Sequence, residues 1–203
     1  MAMISQQILL AFIVFAIVGL YTPGPNNVML LASGLNHGLR RTLPHVAGVS
    51  FGFAFLVAVV GFGLGAVFDA YPVLQAVLKY AGAAYLVYLA VAIARSGPVQ
   101  ADGGGGRKPL TFWEAALFQW INVKGWIIAI GTVTAYAALA SYPWNIITMA
   151  LLLLAMGLSS SVAWTLFGAS LQALVRSPRA VRIFNWTMAG LLLASLYPVL
   201  AEG

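Results

Sequence analysis

Charge is scarce in this sequence. Of 203 residues only 7% are charged, while 62% are hydrophobic; a soluble domain carries about 25% charged residues. No water-facing surface can be built from that composition, and the mean hydropathy of +0.96 agrees. Soluble enzymes, nucleic-acid binders and secreted domains are excluded on this ground. Cysteine is absent altogether, which removes disulfides, thiolate metal sites and thiol relays. Two histidines (His37, His45) and four acids (Asp69, Asp102, Glu114, Glu202) complete a short set of titratable ligands. They are too few and too scattered for a metal cluster or a nucleophile–base pair, so no catalytic residue, metal or cofactor is expected.

What is present in abundance is apolar sequence. A bilayer-spanning helix takes about 20 residues, and six runs bounded by charges or by Pro/Gly punctuation qualify: approximately 7–35, 43–68, 72–95, 112–140, 144–175 and 178–200. The opening MAMISQQ has neither a positive region nor a small-residue cleavage site, so the first run is expected to be a retained helix. Between the third and fourth runs lies a linker, 96–110, containing Gly103–Gly106 followed by Arg107 and Lys108. It divides a single transmembrane domain, 1–203, into a first half (1–95) and a second half (111–203).

The net charge of +6 reports orientation. Arg40 and Arg41 fall in the first loop, Arg95, Arg107 and Lys108 in the third, and Arg176, Arg179 and Arg182 at the fifth. Lys79 stands alone near the second, beside Asp69. The positive-inside rule then places loops one, three and five, and with them the Gly-rich linker, in the cytoplasm, and both termini outside. Six spans fit this alternation; five or seven do not. The expected fold is therefore all-α and polytopic, three helices plus three. An odd number per half makes the halves enter the membrane in opposite senses, the inverted-topology repeat of secondary transporters.

Two spans, the first and the fourth, are interrupted by polar residues. Thr22-Pro23-Gly24-Pro25-Asn26-Asn27 cannot continue an α-helix, because each proline lacks an N–H and clashes with the preceding turn. Asn26 and Asn27 are expected to cap the restarted half-helix, whose positive end suits a carboxylate. The plainer alternative is a proline kink held by neighbouring helices. The second interruption is Gln119-Trp120-Ile121-Asn122-Val123-Lys124-Gly125. Lys124 lies about 18 Å along its helix, near the bilayer centre, where a lysine costs about 2.5 kcal/mol or more. It should face a polar cavity, and a local break over 122–125 would let Gln119, Asn122 and Lys124 converge. The rival reading is a lysine that pins two helices together.

Other features read as structural. Gly48-x-x-x-Gly52, Gly61-x-x-x-Gly65 and Gly157-x-x-x-Ser161 are spacings that let helices approach closely. Ser159, Ser160 and Ser161 are candidates to line a pathway, but bonding to their own helix backbone is the stronger expectation. Glu114 should complement the N-terminal end of its helix. His45, just after Pro44 at a helix start, reads as an interfacial histidine. It is also, with Lys124 and Asp69, one of three groups able to carry a proton.

Thr22-Pro23-Gly24-Pro25-Asn26-Asn27, the Gly48…Gly52 helix after a basic loop, 79–89 (KYAGAAYLVYL) and 118–124 (FQWINVK) together resemble the LysE/RhtB family of amino-acid exporters. The likeness spans essentially the whole chain and is closest to the branch exporting cysteine and O-acetylserine. It implies an inner-membrane protein that moves amino acids out of the cell by proton antiport. Substrate-site residues would then be Pro23, Gly24, Pro25, Asn26, Asn27, Gln119, Asn122 and Lys124. The partners would be an amino acid, protons and the lipid bilayer, with no nucleic acid and with a homo-oligomer left open. The residues themselves favour a small neutral substrate, since no acid is expected deep in the membrane to pair with an extra cation. Two rivals stay open: a metal-ion exporter of related fold, and a membrane scaffold subunit that transports nothing.

Overall fold

A computed structural model describes residues 6–64, 70–95, 108–171 and 177–197. All the elements among them are helical: α1 (Gln6–Tyr21), α2 (Pro25–Val59), α3 (Pro72–Ala94), α4 (Phe112–Phe118), α5 (Val123–Ala135), α6 (Trp144–Leu171) and α7 (Pro178–Ala194). Asp69, the four-glycine run and Arg107 lie outside the described residues, as does Gly65.

Among the described residues, two helices are long and apolar enough, by length and composition, to cross a membrane: Pro25–Gly63 and Trp144–Leu171. A third crossing is available if Phe112–Ile121 and Val123–Ala135 are one span, bent by 71°. Gln6–Tyr21 and Tyr80–Ala94 are apolar but shorter. The outward surface is apolar as well. Leu10, Val14, Phe55, Trp113 and Leu151 are all more than half exposed, which suits hydrocarbon and not water.

α2 is not one straight rod. At Gly38 the backbone takes φ 75°, ψ 169°, a left-handed conformation that glycine adopts without the Cβ penalty. In a continuous helix, residues 33 and 42 would lie about 13 Å apart; instead Ser33 Oγ and Thr42 Oγ1 are 3.0 Å apart. The chain folds back here, and α2 is a hairpin with arms 25–37 and 39–59. The expected first loop, with Arg40 and Arg41 just past the turn, is thus reduced to a glycine reversal.

The small-residue spacings do bring helices together. A Cβ on Gly48 would run into the Phe112 carbonyl, and one on Gly52 would sit 2.6 Å from the Ala116 Cα. α4 therefore lies directly on the second arm of α2. On the other side, Gly34 abuts the Thr165 backbone and Gly168 the Leu31 carbonyl, which locks the first arm against α6. Gly157 has only ordinary contacts, with Ser50 at 3.9 Å; that part of the expected pattern does no close packing.

α1 and α5 run antiparallel. Gly19 meets Ile128, Phe15 meets Gly131 and Phe12 stacks edge-on against Tyr136 at 5.3 Å. Each step forward along one helix is matched by a step back along the other. Two apolar cores result. One gathers Phe12, Ala16, Leu56, Ile128, Met149 and Leu153; the other gathers Leu30, Val46, Leu89, Phe118, Met188 and Leu192. Asn27, Ser50, Gln119, Asn122, Ser160 and Ser161 are buried polar residues. They fall between the two cores along each helix, so a polar layer crosses the middle of the molecule.

Candidate functional site

The polar layer is built where both interruptions occur. In the first, residues 22–24 separate α1 from α2, and Gly24 is fully extended at φ −176°, ψ 178°. Opening the helix frees carbonyls that need donors. Asn27 Nδ2 donates to the Leu20 carbonyl at 2.9 Å and to the Thr22 carbonyl at 2.8 Å. Ser160 Oγ donates to the Leu20 carbonyl at 2.8 Å. Lys124 Nζ, from the other half of the chain, donates to the Thr22 carbonyl at 2.8 Å, to Thr22 Oγ1 at 3.0 Å and to the Pro23 carbonyl at 3.3 Å. A cation at the C-terminal end of α1 is also favoured by the helix dipole.

The second interruption lies slightly upstream of the expected 122–125. A tight turn over Gln119–Ile121 ends at Asn122, which is extended at φ −87°, ψ 97°, and α5 restarts from Val123. No proline forces this. The Ile121 carbonyl fills the place a Cβ would take on Gly82, so α3 packs directly on the turn. The two interruptions are joined side chain to side chain. Asn26 Nδ2 donates to Gln119 Oε1 at 2.8 Å, and Gln119 Nε2 donates back to Asn26 Oδ1 at 3.1 Å. Gln119 Nε2 also holds the Ala115 carbonyl at 2.9 Å.

Helix capping differs from expectation. With Pro25 at the first helical position and Gly24 as N-cap, Asn26 and Asn27 lie too far into the helix to cap it. Neither restart, at Gly24 nor at Asn122, has a side-chain cap. By contrast α4 carries a reciprocal Thr111–Glu114 capping box, and Ser177 caps α7. Glu114 thus complements its helix end as expected. The two mid-chain helix starts keep unsatisfied N–H groups and partial positive charge.

Two cavities adjoin these ends. One of about 310 Å³ is lined by Pro23, Gly24, Pro25, Ala83, Asn122 and Lys124, among others. Small-molecule sites start at about 300 Å³. A smaller one, about 40 Å³, is lined by Asn26, Asn27, Ser50, Ser161, Asn122 and Lys124, with further residues. Among the described residues, neither lining contains a carboxylate. Asn122 lines both cavities, and its Oδ1 is buried without a hydrogen-bond partner. All eight sequence-derived site residues therefore meet in one layer. Lys124 both lines a cavity and bonds across to the first interruption.

Some participants were not expected. Thr22 receives Lys124 through its carbonyl and hydroxyl, and Ser160 bonds across to α1 instead of to its own helix. Ser159 does bond its own helix, at the Met156 carbonyl, and also meets the Tyr21 hydroxyl at 2.7 Å. A buried amide pair was likewise missed: Asn36 Nδ2 donates to Asn185 Oδ1 at 3.0 Å, joining α2 to α7. These residues are 149 positions apart, and an asparagine in an apolar run was their one sequence signal. His45 is buried in the protein interior. It is 1% exposed, and neither ring nitrogen has a hydrogen-bond partner.

An apolar helical shell thus encloses two helix interruptions that share a cavity, an arrangement suited to a membrane translocator. The chain belongs to the LysE type translocator family, which matches residues 17–196. It is similar to the cysteine/O-acetylserine efflux protein of Klebsiella pneumoniae subsp. pneumoniae, with 32% identity covering 98% of this chain and all of the relative. The proteins of that name from Escherichia coli K12 and Shigella sonnei are 38% identical over 85% of this chain and 88% of their own length. No solved structure matches.

Proposed function

We propose that the chain, 1–203, is one transport domain: a secondary transporter that exports a small neutral amino acid or derivative, of the cysteine/O-acetylserine or threonine/homoserine class. It would cross the bacterial inner membrane six times as a three-plus-three inverted repeat, with both termini outside, and work by proton antiport. The observation that carries this reading is the junction of the two interruptions by Asn26–Gln119 and Lys124–Thr22/Pro23, beside a cavity of about 310 Å³. The antiparallel course of α1 and α5 supports the inverted repeat. The shared cavity lining of Asn36, His37, Ile93 and Lys108 supports a common, basic, cytoplasmic end for loops one and three.

The chemistry follows from the donors and acceptors available. A zwitterionic substrate offers a carboxylate and an ammonium. The carboxylate takes Lys124 Nζ away from the Thr22 and Pro23 carbonyls and adds the two uncapped helix starts. The ammonium then takes those released carbonyls and Asn122 Oδ1. One exchange of partners satisfies both substrate charges and loosens the tie between the halves, which lets them rock around the bound molecule. A lysine or arginine substrate would bury a second cation with no carboxylate in the lining to meet it, at a cost of several kcal/mol. A scaffold's Lys124 would be packed against a helix; this one lines cavities. A metal exporter would need converging carboxylates or histidines, and no group of three such residues occurs among the described residues.

Counterflow in proteoliposomes tests the substrate class. Vesicles preloaded with unlabelled O-acetylserine or cysteine are expected to accumulate the labelled compound, and labelled lysine or arginine are not expected to accumulate. Equal uptake of lysine would overturn the neutral-substrate reading.

A further inference from the structure

His45 stands apart from the site described above. It lies on the second arm of α2, buried, with Nδ1 and Nε2 both unpartnered. A neutral imidazole carries one N–H and one lone pair, and burying such groups unpaired costs about 1–3 kcal/mol each. The ring lines a separate cavity of about 60 Å³, together with Ser33, Asn36, His37 and Lys108. That volume exceeds the roughly 10–15 Å³ that admits one water, and the polar lining supplies the partners water needs. Ionisable side chains inside a membrane are costly and mark ion or proton pathways.

The polar and charged groups around the ring come from several elements. From the first arm of α2 come His37 and the neutral Ser33 and Asn36, and from the segment before α4 comes Lys108. Glu114, on the first turn of α4, is the carboxylate whose field reaches the ring. Among the described residues, α3 contributes Leu89, Ala92 and Ile93, α6 has no titratable side chain, and α7 approaches through the amide of Asn185 bonded to Asn36. His45 is five residues, about 7.5 Å along the helix, from Ser50, which lines the small cavity shared with Lys124 and Asn122. It therefore sits between the basic end of the molecule and the amino-acid cavity.

We propose that His45 is the proton-carrying site of this exporter, loaded and emptied through water in the cavity beside it. The step is a simple protonation: the imidazole takes a proton from water to become imidazolium and returns it to water on the other side of the cycle. This rests on the transport reading above, and the test separates the two.

Wild-type protein, His45→Gln and His45→Asn are reconstituted and assayed in two ways. Counterflow exchanges substrate for substrate and needs no net proton movement; accumulation driven by an imposed pH gradient does. The expected result is that both variants keep wild-type counterflow and lose gradient-driven accumulation. Retained gradient-driven accumulation would overturn the proposal. So would loss of both activities in variants that reconstitute and melt like wild type, since His45 would then serve the fold or the substrate site. Absence of wild-type counterflow for every amino acid would strike the transport reading instead. His45 is still tested in that case by imidazole NMR, because only one other histidine exists. A His45 resonance, identified by its loss in His45→Gln, is expected to titrate within the pH range over which the gradient drives accumulation; a ring that never titrates there overturns the proposal.

Discussion

Lys124→Ala is expected to lower transport by about 10–100-fold while the protein still inserts and folds. A hydrogen bond to a charged group contributes about 1.5–3 kcal/mol, and each 1.4 kcal/mol is a factor of about ten in affinity. Among the described residues, Lys124 Nζ is the one cationic donor in the polar layer that could meet a substrate carboxylate, since the linings of both central cavities contain no other lysine or arginine. The loss of structure should be small by comparison. Asn27 still holds the Thr22 carbonyl after the substitution, and Asn26–Gln119 still joins the halves. Counterflow measured beside thermal stability distinguishes a binding lysine from a pin. Large loss of stability with little loss of transport per folded molecule would identify a pin.

Gly24→Ala should lower transport about tenfold with almost no change in stability, the worth of roughly one charge-assisted hydrogen bond. The backbone at Gly24 is extended, a conformation open to any residue, so the new methyl group brings no backbone strain. Its effect is on Lys124. A Cβ at this position would stand 2.8 Å from Lys124 Cδ and 3.0 Å from Nζ. The lysine is flexible and can swing aside at little cost, but in doing so it leaves its three acceptors on Thr22 and Pro23. Transport assays and thermal melts on the same preparation check this. Unchanged transport would show that the lysine position is not what the site depends on.

How far the sequence could be read depended on whether a local cause existed. The first interruption is legible because Pro23, Gly24 and Pro25 in succession cannot continue the helix that precedes them. The second has no proline. Its polar residues marked the neighbourhood, but the turn at Gln119–Ile121 is settled by α3 pressing on it through Gly82, a contact no local pattern contains. The same limit explains Asn26. Asparagine is a good N-cap, but Pro25 claims the first helical position, so Asn26 faces Gln119 across the layer instead. The burial of His45 was not legible, because nearby arginines and Pro44 suggested an exposed helix end. The reversal at Gly38 folds the first arm of α2 over it. The Asn36–Asn185 pair depends on two distant helices meeting and had no local signal beyond its composition.

The absence of cysteine makes the central claim, that the cavity between the two interruptions holds the substrate, directly measurable. Ala83 is half-buried and lines that cavity, while its neighbour Ala84 is exposed on the same helix. Ala83→Cys and Ala84→Cys each supply the only thiol in the protein. The measurement is the rate at which a small thiol reagent labels each variant, with and without saturating O-acetylserine, in preparations that show counterflow. The account predicts that the amino acid slows labelling at position 83 and leaves position 84 unchanged, and that lysine slows neither. Labelling of Ala83→Cys at the same rate with and without the transported amino acid would contradict it.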